Sequence, residues 1–109
     1  MKTTIVFILT LVSVTSAYSQ GAQEQNIRAG QKLFVRHCSE CHGQDGEGTE
    51  RAPSIQRYVR KSEPALLQSF IRNGNLRKGM PSWSRLPDQQ LNQLVTYLRA
   101  VQARATPSR

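Results

Sequence analysis

The chain has 109 residues, a formal net charge of +8 at neutral pH and only two cysteines. That length supports one domain with a modest core, a size at which a staple, metal or cofactor is commonly needed. Two cysteines exclude a disulfide scaffold, and the scattered arginines, with no dense basic run or interleaved aromatics, exclude a dedicated nucleic-acid surface.

Residues 1–19 predict a cleaved secretory signal. Lys2 supplies the positive start, Ile5 to Val14 the apolar run, and Ala17-Tyr18-Ser19 the small residues at the cut, placed after Ser19. An apolar run of about ten residues is short of the roughly 20 a spanning helix needs. No later stretch reaches that length, so residues 20–109 are read as one soluble, exported domain with no transmembrane segment. Its core is expected over about 25–101, with a flexible tail at 103–109.

Gly21 to Gln25 reads as a polar, mobile lead-in. From about Glu24 to Arg36, Ile27, Gly30, Leu33 and Phe34 recur at helical spacing. Gly30 inside a helix costs about 1 kcal/mol relative to Ala, which close approach of another helix would offset. This helix runs into Cys38-Ser39-Glu40-Cys41-His42, the spacing that attaches a c-type haem. On one helical turn, positions i, i+3 and i+4 share a face. Cys38 and Cys41 can then form thioethers with the haem vinyl groups while His42 reaches the iron.

A glycine-rich loop follows, Gly43 to Thr49, with neither the preceding strand nor the Gly-Lys-Ser/Thr ending of a phosphate loop. In Ala52-Pro53-Ser54-Ile55, the Pro53 carbonyl region is a candidate acceptor for the second ring nitrogen of His42. Ser62-Glu63-Pro64 opens a helix whose buried stripe is Leu66, Leu67, Phe70 and Ile71 and whose stop is Asn73-Gly74. An irregular loop, Asn75 to Arg85, holds Met80, Pro81 and Trp83. Pro87 and Asp88 open the last helix, with Leu91, Leu94, Val95, Leu98 and Val101 on its stripe and Tyr97 on the flank. No strand pattern appears, so the fold class is all-α.

A haem held by His42 has a second axial position. A lone methionine more often fills core, but Met80 lies in a loop and is the only methionine left after signal removal. His37 is the alternative, and it adjoins Cys38. Met80 is the favoured sixth ligand, and His/Met ligation suits one-electron transfer rather than catalysis at the iron.

These residues together resemble the small monohaem class I c-type cytochromes of bacteria. The resemblance covers about Gln25 to Val101. It rests on Gly30 and Phe34, on Cys38 to Gly43, on Gly46, Gly48, Ala52-Pro53 and Asn73-Gly74, on Gly79-Met80-Pro81-Ser82-Trp83, and on Leu94 with Tyr97-Leu98. It implies a cytochrome c fold of three to four helices wrapped around one covalently attached haem c. The terminal helices would cross near Gly30 and Tyr97, with His42 and Met80 as iron ligands. By the same analogy the Pro53 carbonyl accepts from His42, and Trp83 packs near the ring or a propionate. The implied function is a periplasmic one-electron carrier, not an enzyme, acting with redox partners that have acidic docking surfaces. The alternative is the haem-bearing subunit of a periplasmic dehydrogenase or oxidase complex. A thioredoxin-type dithiol expects a βαβ setting and a zinc site more ligands, and neither is present in the sequence.

Overall fold

The computed structural model describes residues 4–105, with side chains described from Tyr18 to Arg104. The elements in order are α1 (Thr4–His37), α2 (Ser39–His42), α3 (Gln56–Lys61), α4 (Pro64–Asn73), a single 3-10 turn (Leu76–Lys78) and α5 (Asp88–Ala105). Among the described residues the only extended pairing is an isolated antiparallel bridge between Asn75 and Met80. The fold is a small all-α one.

The core forms where α1 lies along α5, with α3 and α4 also packed against α5. Phe34, Leu91, Leu94, Val95, Tyr97 and Leu98 are buried there, joined by Val59 from α3 and Leu67 and Ile71 from α4. Gly30 sits at the crossing. A Cβ at this position would collide with the Gln93 carbonyl oxygen and would lie 2.7 Å from Tyr97 Cβ. The missing side chain therefore sets the distance between the two helices. One turn on, the Phe34 and Tyr97 rings meet at 5.6 Å between centroids, a tilted arrangement that aromatic quadrupoles favour. Tyr97 is 6% exposed, a core residue rather than a flanking one.

Several elements differ from the sequence expectation. The first helix extends back to Thr4, through the expected polar lead-in. From Ala22 to Gln25 the residues favour helix, no proline interrupts, and one glycine is a tolerable cost. Tyr18 to Asn26 is nevertheless wholly exposed, so packing begins at Ile27. Lys2 and the side chains from Ile5 to Val14 lie outside the described residues, as does the tail beyond Ala105. Among the described residues no helix is long and apolar enough to cross a membrane.

Helix α3 was not expected. It has six residues and one buried side chain, Val59, too short a stretch for periodicity to register. Glu63, not Ser62, stands at the N-cap position of α4, with no side-chain cap, and Pro64 opens the first turn. The Ser62 carbonyl instead accepts a hydrogen bond from Arg99 at 2.9 Å. The α4 stripe is divided: Leu67 and Ile71 are buried, whereas Leu66 and Phe70 are 60% and 38% exposed. Helix α4 ends at Gly74, whose amide donates to the Phe70 carbonyl at 2.8 Å.

Gly30→Ala should destabilise the chain by about 1–3 kcal/mol, because overpacking outweighs the gain in helix propensity. Chemical denaturation would measure this; an unchanged midpoint would mean the two helices are free to move apart.

Candidate functional site

The end of α1 continues almost directly into the one-turn helix α2. The amide of Cys38 donates to the Phe34 carbonyl at 2.8 Å, and the amide of His42 to the Cys38 carbonyl at 2.9 Å. Burial of Phe34 in the core thus fixes the turn that carries both cysteines and the histidine. Cys38 is half-buried and Cys41 exposed, and both are free thiols. Burial, and secondarily the Cys41 thiol, push the Cys38 thiol up to about 11.

The glycine-rich loop folds back on this turn. Gly48 donates to the His42 carbonyl at 2.7 Å, and the Thr49 hydroxyl donates to the Cys41 carbonyl. At Gly48, with φ +96°, a Cβ would meet the Ser54 amide nitrogen at 2.6 Å. Only glycine lets the loop lie this close to the Pro53-Ser54 segment. The Pro53 carbonyl oxygen is 3.0 Å from His42 Nδ1. A carbonyl can only accept, so Nδ1 carries the proton and Nε2 is the ring nitrogen left to coordinate a metal. The Glu47 carboxylate is held below its ordinary range by its own amide and then that of Asp45, the latter at 2.8 Å.

A narrow apolar cleft, open to solvent on one side, lies beside the turn. Cys38 and His42 contribute to its wall from α1 and α2, and Met80 from the loop after α4. The remaining wall is hydrocarbon and aromatic: Phe34, Leu94 and Leu98 behind, and Ile55, Tyr58, Val59, Leu67, Phe70 and Ile71 from the segments between. Of the two exposed residues on α4, Phe70 lines the cleft and meets the Tyr58 ring at 5.1 Å, whereas Leu66 does not line it. Tyr58 and Ile55 escaped the sequence reading because they lie outside any long helical pattern.

Met80 is held by a closed loop. The Asn75 amide donates to the Met80 carbonyl at 2.9 Å and the Met80 amide to the Asn75 carbonyl at 3.0 Å, around the 3-10 turn. Trp83 does not line the cleft; its ring lies against His37, with centroids 4.8 Å apart. Among the described residues no cluster of three or more His, Cys, Asp or Glu side chains could hold a bare metal ion.

An apolar wall that carries the Cys38 thiol, the His42 imidazole and the Met80 thioether, with the exposed Cys41 thiol on the same turn, fits a covalently bound haem. The fold and site define a small all-α electron-transfer protein carrying one haem c. Residues 25–98 match the family described as cytochrome c oxidase, cbb3-type, subunit III, and the chain belongs to that family. It is 33% identical over 95 residues to the cbb3-type cytochrome c oxidase subunit CcoP of Rhodobacter capsulatus, covering 75% of this chain and 31% of that protein. It is 27% identical over 105 residues to cytochrome c6 of Cyanidioschyzon merolae, covering 92% and 94% respectively. The chain thus spans about a third of the length of its CcoP relative. No solved structure matches it significantly.

The family corrects the resemblance drawn from sequence. The chain is a relative of an oxidase subunit, not a standalone class I monohaem cytochrome c of bacteria. The physical reason is that the motifs compared serve to grip a haem, and that task is the same in a free carrier and in a subunit.

Before haem is added, Cys38 should alkylate more slowly than Cys41 near neutral pH, as peptide mass mapping would show; equal rates would contradict its burial. A thiol with its folded value raised from 9.0 to about 11 favours the fold while neutral. That contribution is complete below pH 9 and lost as pH rises toward 11.

Proposed function

We propose that this chain is an electron-transfer subunit of an oxidase-type redox complex in the bacterial periplasm. In this reading the signal is removed after Ser19, leaving residues 20–109 as one haem-bearing domain. Cys38 and Cys41 would hold the haem through thioether links, and His42 and Met80 would hold its iron. One observation carries the reading: a single apolar cleft receives His42, fixed by Pro53, and Met80, fixed by its loop, from separate elements.

Haem c in this cleft would supply reversible one-electron chemistry. The residues do the rest. Pro53 keeps His42 in one tautomer and one orientation, which raises its basicity as a ligand. The Met80 thioether favours reduced iron and raises the reduction potential. Leu94, Leu98 and Ile71 exclude water. With His42 and Met80 both holding the iron, no position on it would be left for a substrate.

The oxidase setting is supported by the matched family and by the CcoP relative. Charge supports a partner with an acidic docking surface. Residues 51–109 contain eleven Lys and Arg against two acidic residues, whereas residues 1–50 contain four against five. The whole positive excess therefore falls on the half that contains α3, α4 and Met80. Arg57 and Lys61 on α3 and Arg77 and Lys78 beside Met80 are exposed. Among the described residues the ion pairs use other arginines, in Glu24–Arg28, Glu40–Arg51 and Arg72–Asp88. A positive excess of this kind attracts an acidic surface and speeds encounter with it.

Met80→Ala should open the iron to cyanide or carbon monoxide and lower the potential; an unchanged potential with the iron still closed would assign the sixth ligand elsewhere. Electron-transfer rates to the physiological partner should fall steeply as salt rises, since steering over about 10 Å is screened near 0.1 M. A flat salt response would remove the acidic-partner reading. Affinity purification from membranes of the native host should bring oxidase subunits with the chain; recovery of the chain alone would overturn the complex.

A further inference from the structure

We propose that the His37–Trp83 ring contact is a brace that fixes the position of Met80 relative to His42. The inference rests on the assignment of Met80 as an iron ligand. The two axial residues belong to different bodies. His42 is carried by α1 and α2, and α1 packs on α5. Met80 belongs to a segment fastened to α4: the Ser82 hydroxyl donates to the Arg72 carbonyl at 2.7 Å, and the Trp83 amide to the Ile71 carbonyl at 3.3 Å. The route between them through α5 is long.

The Trp83 ring supplies a short one. It rests on His37, with centroids 4.8 Å apart and planes inclined by 48°. His37 is the last residue of α1, next to Cys38, and Trp83 is three residues beyond Met80. Both are half-buried. Among the described residues this is the one ring–ring contact that joins the Met80 segment to α1. Trp83 does not line the cleft, so it acts on Met80 through the backbone and is a positioning residue. A contact of this type can shift a local opening equilibrium by about two- to tenfold.

The test is cyanide binding to the ferric holoprotein, followed by absorption, together with the far-red sulfur-to-iron band and the reduction potential. His37→Ala and Trp83→Ala should each speed cyanide binding by about two- to tenfold, weaken that band and lower the potential. The double variant should be no faster than the faster single one, because the two rings form one contact. His37→Phe, which keeps a ring against Trp83, should restore the parent rate and band. Parent-like rates in His37→Ala, additive effects in the double variant, or a His37→Phe chain that behaves like His37→Ala would each overturn the brace. Met80→Ala separates the two readings. If it leaves cyanide binding unchanged, the ligand assignment fails and takes the brace with it. If it speeds binding while His37→Ala does not, the brace alone fails.

Discussion

The contact between α1 and α5 at Gly30 governs the molecule. Backbone meets backbone there, with the Gln93 carbonyl in the space a side chain would occupy. This lets Phe34 reach Leu94 and Tyr97 and bury itself almost completely. Phe34 also accepts the amide of Cys38, so the depth of the crossing is passed directly to the turn that bears Cys38, Cys41 and His42. A wider crossing would lift that turn away from Leu94 and Leu98, the floor of the cleft.

The rest of the site is assembled by segments with little regular structure. The loop from Gly43 to Thr49 returns to the His42 and Cys41 carbonyls and presses against Pro53 and Ser54, bringing the Pro53 oxygen to the imidazole. The 75–80 loop closes on itself at Met80. Neither segment has an apolar core of its own. Each is held by backbone hydrogen bonds and by close approaches that glycine allows, an economical way to aim one side chain.

The site also reaches the surface. Tyr58 and Phe70 lie in the cleft wall and are partly exposed, and the basic residues of α3 and the 3-10 turn are near neighbours in sequence. A redox centre in a small basic domain needs an approach for its partner as well as a shelter from water. Phe70 meets both demands, lining the cleft while staying partly exposed.

The sequence alone determined the all-α class, the helix that runs into the Cys38 turn, the stop at Gly74, the stripe of α5 and the c-type haem chemistry of Cys38, Cys41 and His42. Each of these is local, set by side-chain periodicity or fixed spacing within a turn. It also flagged Gly30, because a glycine in an apolar helical face requires compensation, but could not say what approached it. Only the tertiary structure decided that Gln93 is the neighbour, that Tyr97 is core, that Trp83 rests on His37, and that Tyr58 and Phe70 wall the cleft. Those contacts join residues tens of positions apart, and their geometry depends on how helices cross, which no local pattern encodes. Whether a haem domain works as a free carrier or a subunit was equally illegible in its motifs, because the forces that grip the haem are the same in both.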